Sequence, residues 1–147
     1  MENTCTLLED FALVTSLPVA WGDLDAFGHV NNLVYLGWSE TARVEYLVRL
    51  EMFPELPPQG EAPILASIKC DYRTPLNYPD MVDVGTRVTR IGNSSFQMEH
   101  RVVSRTRNVV AAEVDSTLVW LDYKENKPVR IPEDIRERIA QIEGHRV

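Results

Sequence analysis

Trp21-Gly22-Asp23-Leu24-Asp25-Ala26-Phe27-Gly28-His29-Val30-Asn31-Asn32 gathers two acids, a histidine, two glycines and two asparagines just ahead of a strongly helical run. No other dozen residues in the chain look so much like chemistry. The turn residues predict that a strand ends near Trp21 and the chain loops through Asp23-Leu24-Asp25 and Gly28. A helix then begins at Asn31 or Asn32, because asparagine is a favoured N-cap. The first backbone N–H groups of such a helix lack intrahelical partners and attract negative charge. A carbonyl held there would be polarised, with Asp25 beside it as nucleophile or base.

After this motif comes the one long helical pattern, running out near Glu51. Steps of 100° per residue place Leu33, Leu36, Val44 and Leu47 on a single stripe, with Glu40 in its middle. A carboxylate on a buried stripe must be paired, neutralised or turned into a cavity. Glu40 is therefore either tied to an arginine or backbone group, or lines a pocket. Pro54, Pro57, Pro58 and Gly60 then predict an irregular loop.

The hydrophobic period changes from there to Asp122. A short first strand is expected over Thr15 to Trp21, with Pro18 tolerable at a sheet edge. Ile64, Ala66, Ile68, Cys70 and Tyr72 alternate with Leu65, Ser67, Lys69, Asp71 and Arg73, as in a half-buried strand. Pro75 to Asp80 turns the chain, and Val82, Val84, Thr86 and Val88 alternate again. Gly92-Asn93 supplies a hairpin turn before Phe96, Met98, His100 and Val102. Arg105 to Asn108 turns once more into Ala112, Val114, Ser116, Leu118 and Trp120. His100, on an apolar face, reads as a hydrogen-bonded core histidine. Pro132, at the first position of a short tail helix over Glu133 to Gln141, completes the chain. The order predicts an α+β domain: a five-stranded antiparallel sheet wrapped around one long helix, with a short C-terminal helix.

The bulk numbers agree with one soluble domain over 1–147, its core at about 14–122 and its tail helix at about 132–142. The chain has 147 residues, 44% hydrophobic and 25% charged. The first fourteen residues carry Glu2, Glu9 and Asp10 and no long apolar run, so neither a secretory signal nor a membrane span is expected. A cytoplasmic protein follows. Cys5 and Cys70 form no metal-binding spacing, so no metal site and no disulfide are predicted. A net charge of −7 argues against nucleic acid as a partner. From Arg87 to Arg107, however, five arginines face the single acid Glu99, leaving that segment at +4 and the remainder at −11. This is either a patch for a small anionic ligand or a solvated hairpin with alternating charges.

The motif, continuing through Tyr35 and Trp38-Ser39-Glu40-Thr41-Ala42-Arg43, resembles that of the hotdog-fold acyl-CoA thioesterases of the 4-hydroxybenzoyl-CoA thioesterase family. Asp71-Tyr72-Arg73-Thr74-Pro75 followed by Asp80-Met81-Val82, and Gly92-Asn93-Ser94-Ser95-Phe96, also resemble that family's strand connections. The likeness spans Val14 to Leu121. It implies hydrolysis of an acyl thioester, with Asp25 as the catalytic carboxylate and the N–H near Asn32 as oxyanion donor. Asp23 is expected to bond loop N–H groups, and Glu40 to orient substrate or activate water. His29 resembles the Gly-His-Val-Asn branch, where His29 and Asn31 brace the loop; a direct acid–base role is its other reading. The coenzyme phosphates would lie at the hairpin by Arg90, Ser94 and Ser95, where other members carry a strongly basic sequence. No cofactor is required, coenzyme A being part of the substrate. The resemblance also implies a homodimer or homotetramer, and acyl carrier protein as an alternative carrier. Two other functions fit the residues: a hydratase or dehydratase of enoyl thioesters pairing Asp25 with His29, and a noncatalytic acyl-CoA-binding protein.

Overall fold

The computed structural model describes residues 6–52 and 60–147. Strand β1 (Leu13–Pro18) leads to helix α1 (Asn32–Arg49), and then β2 (Glu61–Tyr72), β3 (Met81–Ile91), β4 (Ser95–Ser104) and β5 (Val109–Asp122) follow. A two-residue strand β6 (Lys127–Pro128) and helix α2 (Glu133–Glu143) complete it. The sheet order is β1-β3-β4-β5-β2, every pairing is antiparallel, and β6 pairs with β5. This is the hotdog architecture: a curled sheet with α1 against its inner face.

Several boundaries move from their expected places. The first strand begins at Leu13 and ends at Pro18, while Trp21–Asp23 forms a single 3-10 turn. Asp23 accepts from the Ala20 N–H at 2.8 Å and so winds up what the sequence offers as strand. Pro132 is the N-cap of α2 rather than its first helical residue. β2 is exposed on both sides through Ile64, Leu65, Ala66 and Ser67, where its pairing with β5 slips at a bulge. Cys5, Pro54, Pro57 and Pro58 lie outside the described residues, and Cys70 is a free thiol.

The largest correction concerns the face of α1 that meets the sheet. The buried residues are Tyr35, Trp38, Ser39, Ala42, Arg43, Tyr46 and Leu47. Of the expected stripe only Leu47 is among them. Leu33 is 65% exposed, Val44 43% and Val48 55%, and Glu40 is exposed beside them. The helix carries two apolar stripes, and the aromatic one takes the sheet because large rings bury more area per position. Tyr46 shows the gain. It is fully enclosed near Leu50, Phe96 and Met98, and its hydroxyl donates to Glu143 Oε2 at 2.6 Å, tying α1 to α2. Each large side chain buried in this way contributes ~1.5–3 kcal/mol.

The outer face of the sheet settles the basic segment. Arg87 pairs with Glu99 at 2.7 Å, Arg101 with Glu113 at 3.2 Å and Arg105 with Asp83 at 2.6 Å, while Arg107 donates to the Pro75 carbonyl. Four of the five arginines thus serve the sheet itself, as in the alternating-charge reading. Arg87 and Arg101 also hold the N-terminal segment, donating to the carbonyls of Asp10 and Leu7 and placing their guanidinium carbons 4.5 and 5.1 Å from the centre of the Phe11 ring. That segment fits only because residue 85 has no side chain. A Cβ there would stand 2.7 Å from Phe11 Cγ and 2.9 Å from Leu8 Cδ2. Gly85→Val is therefore expected to cost about 1–3 kcal/mol through overpacking. Thermal unfolding should show the loss, and limited proteolysis should find the N-terminal segment newly accessible.

Candidate functional site

The sequence ahead of α1 folds into a miniature hairpin. Leu24 and Val30 form a bridge, the Asp25 N–H donates to the His29 carbonyl at 2.8 Å, and Gly28 turns the chain at φ +80°. The Val30 N–H donates to the Leu76 carbonyl and the Asn31 N–H to the Asp23 carbonyl, which pins the hairpin to the β2–β3 connection and to its own base. Asn31 caps α1 as its residue type suggests, its Oδ1 accepting from the Leu33 N–H at 3.0 Å.

Asp25 sits on this hairpin with an exposed side chain. Its Oδ1 accepts from the Phe27 N–H at 2.8 Å and the His29 N–H at 3.4 Å. Among the described residues, Oδ2 accepts no hydrogen bond. The carboxylate is thus oriented through one oxygen and open through the other. Asn32, the first residue of α1, is exposed, and its N–H has no acceptor among the described residues, as expected of a helix N-terminus. His29 is also exposed, and only its backbone bonds within the loop.

An aromatic array supports the helix start. Tyr72, at the end of β2, donates its hydroxyl to the Asn32 carbonyl at 2.9 Å. Its ring packs edge-on against Tyr35 at 5.1 Å, and Tyr35 packs against Trp38 at 5.3 Å. Burial and the Cys70 contact push the Tyr72 phenol up to about 12, so it stays a donor at neutral pH. The alternation of β2 placed Tyr72 on a strand but gave no sign of this bond, which joins residues forty positions apart. Tyr72→Phe is expected to lower stability by ~1 kcal/mol, the typical net worth of one such bond. A chemical denaturation curve with unchanged slope and a lower midpoint would show it.

The other candidates lie apart in the single chain. Glu40 is two turns down α1 on its outward side. Arg90, Ser94 and Ser95 are at the β3–β4 hairpin, whose backbone is held by Arg136, Ile131 and Trp120. Ile131 and Trp120 belong to the core around Leu50 and Phe96, at the far end of α1, whereas the Asp25 hairpin belongs with Val30, Leu76 and Val82. An eighteen-residue helix of ~27 Å separates the two ends. Two surface cavities, of about 340 and 290 Å³, touch neither Asp25 nor Asn32. One lies between Phe11, Arg87, Glu143 and His145, and the other over Asp71, Arg101, Glu113 and Asp115. In the same segment as Asp25, Phe27 is 88% exposed and Trp21 73%. Among the described residues no three His, Cys, Asp or Glu side chains are grouped to hold a metal ion, and no helix is long and apolar enough to cross a membrane.

Comparison with known proteins agrees with the fold. A crystal structure of a thioesterase complexed with coenzyme A and zinc from Thermus thermophilus is 37% identical, with a TM-score of 0.82 over 93% of this chain and 98% of that one. The long-chain acyl-CoA thioesterase FadM of Escherichia coli is 25% identical, covering 87% of this chain and 97% of its own. A chloroplastic acyl-acyl carrier protein thioesterase of Arabidopsis thaliana is 30% identical over 82% of this chain, which spans 63% of that relative's length. The family model for the thioesterase-like superfamily matches residues 19–139. Wrapped helix, strand order and family match together make this chain a hotdog-fold member of the thioesterase-like superfamily.

Proposed function

We infer that this protein hydrolyses an acyl thioester, releasing a free acid and a thiol, with Asp25 as the reacting carboxylate and the Asn32 N–H as oxyanion donor. The observation that carries this reading is the placement of an exposed carboxylate, steered through one oxygen, on the hairpin that leads into an unpaired helix N-terminus. A thioester carbonyl is already electrophilic, and its thiolate leaves with little acid assistance. One carboxylate and one dipole therefore suffice without a triad. Asp25 attacks the carbonyl carbon directly or takes a proton from the attacking water. In either case the growing charge on the carbonyl oxygen faces the start of α1. His29 braces the hairpin, and Asp23 holds the turn before it.

The working unit in this proposal is a homodimer or homotetramer in the cytoplasm. Leu33, Val44 and Val48 on α1, and Ile64 and Leu65 on the edge strand β2, are large apolar groups left in water by a single chain. A two-fold axis laying two copies of α1 antiparallel would cover them. It would also bring the Arg90, Ser94 and Ser95 end of one copy beside the Asp25 end of the other. Glu40 would then face substrate across the interface, and the hairpin would meet the carrier's phosphates. Coenzyme A is the carrier in this reading, as the FadM likeness supports, while the Arabidopsis likeness makes acyl carrier protein the alternative.

Free thiol should appear when the protein is incubated with a panel of short, long and aromatic acyl-CoAs and acyl carrier protein thioesters. Loss of enoyl absorbance without thiol would instead identify a hydratase. Saturable binding with no turnover across the whole panel would identify a binding protein.

A further inference from the structure

Two apolar clusters fill the space between α1 and the sheet, and a polar row divides them. Val88 pairs with Met98 in one cluster, and Val84 pairs with Val102 in the other. The row between is Thr86 paired with His100. On α1, Trp38 and Ala42 belong to one cluster and Tyr46 and Leu47 to the other, with Arg43 at the junction.

Arg43 is 9% exposed and His100 1%. Arg43 makes no hydrogen bond or ion pair with any described residue, and its Nη1 is fully enclosed. His100 Nδ1 lies 2.9 Å from Thr86 Oγ1, and its Nε2 is enclosed with no partner. The Thr86 hydroxyl has no other partner among the described residues, and in the tautomer this inference takes it donates to Nδ1. The ring proton then sits on Nε2, which becomes a donor. Burial, with the Arg43 charge nearby, lowers the imidazole pKa to about 3 and keeps the ring neutral at physiological pH. Arg43 Nη1 on α1 and His100 Nε2 on β4 are thus both enclosed without a partner, and the charge of the first acts on the ring of the second.

We propose that Arg43 Nη1 and His100 Nε2 form an internal site for a small monovalent anion of the halide class. Enclosing one end of a guanidinium, here Nη1, without a counter-charge is unfavourable. Glu40, the acid whose charge Arg43 feels, is exposed on the helix and forms no bond to it. A water molecule would satisfy both donors but not the charge; a halide satisfies both. Such an ion would join the two halves of the core at the one level where apolar contact between helix and sheet is interrupted. None of the residues assigned to thioester cleavage takes part.

Crystals of the full chain grown in sodium bromide should show an anomalous peak in hydrogen-bonding contact with both nitrogens. A water in that place, an empty gap, or the Glu40 carboxylate of a second copy seated on Nη1 overturns the proposal. In solution, replacing gluconate by chloride at constant ionic strength should raise Tm saturably, by about 3–6 °C at tenfold the Kd. Arg43→Met should abolish that rise. If that variant does not fold, His100→Phe should still shift the chloride midpoint upward at least fivefold. A linear salt response shared by wild type and variants counts against the site. An equal response to acetate, with no bromide peak, overturns the halide assignment.

Discussion

Asp25→Asn is expected to reduce kcat for thiol release by about 100- to 10,000-fold, the range for loss of a positioned catalytic base. Its Tm should stay close to that of the wild type. The substitution separates the two roles open to this side chain. The amide oxygen of asparagine can still accept from the Phe27 and His29 N–H groups, as Oδ1 does here at 2.8 and 3.4 Å. The hairpin is therefore preserved. What disappears is the negative charge and the basic second oxygen, which bonds to nothing in the described chain. A loss confined to kcat, with KM little changed, marks a group that acts in the transition state rather than in uniform binding. Full turnover in a folded variant would leave Asp25 as a loop residue only and remove its assignment as the reacting carboxylate.

The parts of this molecule that were legible in its sequence are those fixed by local chemistry. Asn31 is the helix cap because its short amide reaches the N–H two residues on, and Gly92-Asn93 makes the hairpin because the next strand follows at once. His100 is buried and bonded to Thr86, as its place on an apolar face suggests. What the sequence misassigned depends on distant partners. The face of α1 could not be chosen from periodicity alone, since Leu33, Leu36, Val44 and Leu47 form as good a stripe as Tyr35, Trp38, Ala42 and Tyr46. Glu40 followed the wrong stripe and lies in water. Arg87, Arg101 and Arg105 leave a ligand patch and an alternating-charge hairpin equally open in the sequence, and strand register decides for the second by supplying Glu99, Glu113 and Asp83 as partners. Tyr72 reaches the helix start through sheet curvature, which no window of sequence encodes.

Asn32→Pro is expected to cost about 100- to 1,000-fold in kcat, the usual effect of deleting one oxyanion donor, with the helix intact. Proline suits this one position. The first helical residue has no intrahelical use for its N–H, and its φ is already near the value that the ring imposes. The preceding residue must be extended, and Asn31 is, at φ −60° and ψ 139°. The cap from Asn31 Oδ1 to the Leu33 N–H is untouched, and the Asn32 carbonyl can still accept from Tyr72. The variant therefore removes a single hydrogen atom from the proposed site and little else. Asn32→Ala is the matched control: it keeps the N–H, discards only an exposed side chain, and should turn over at close to the wild-type rate. Equal activity in the proline and alanine variants, with both as helical as the parent by circular dichroism, would show that the carbonyl oxygen is not held at this helix tip.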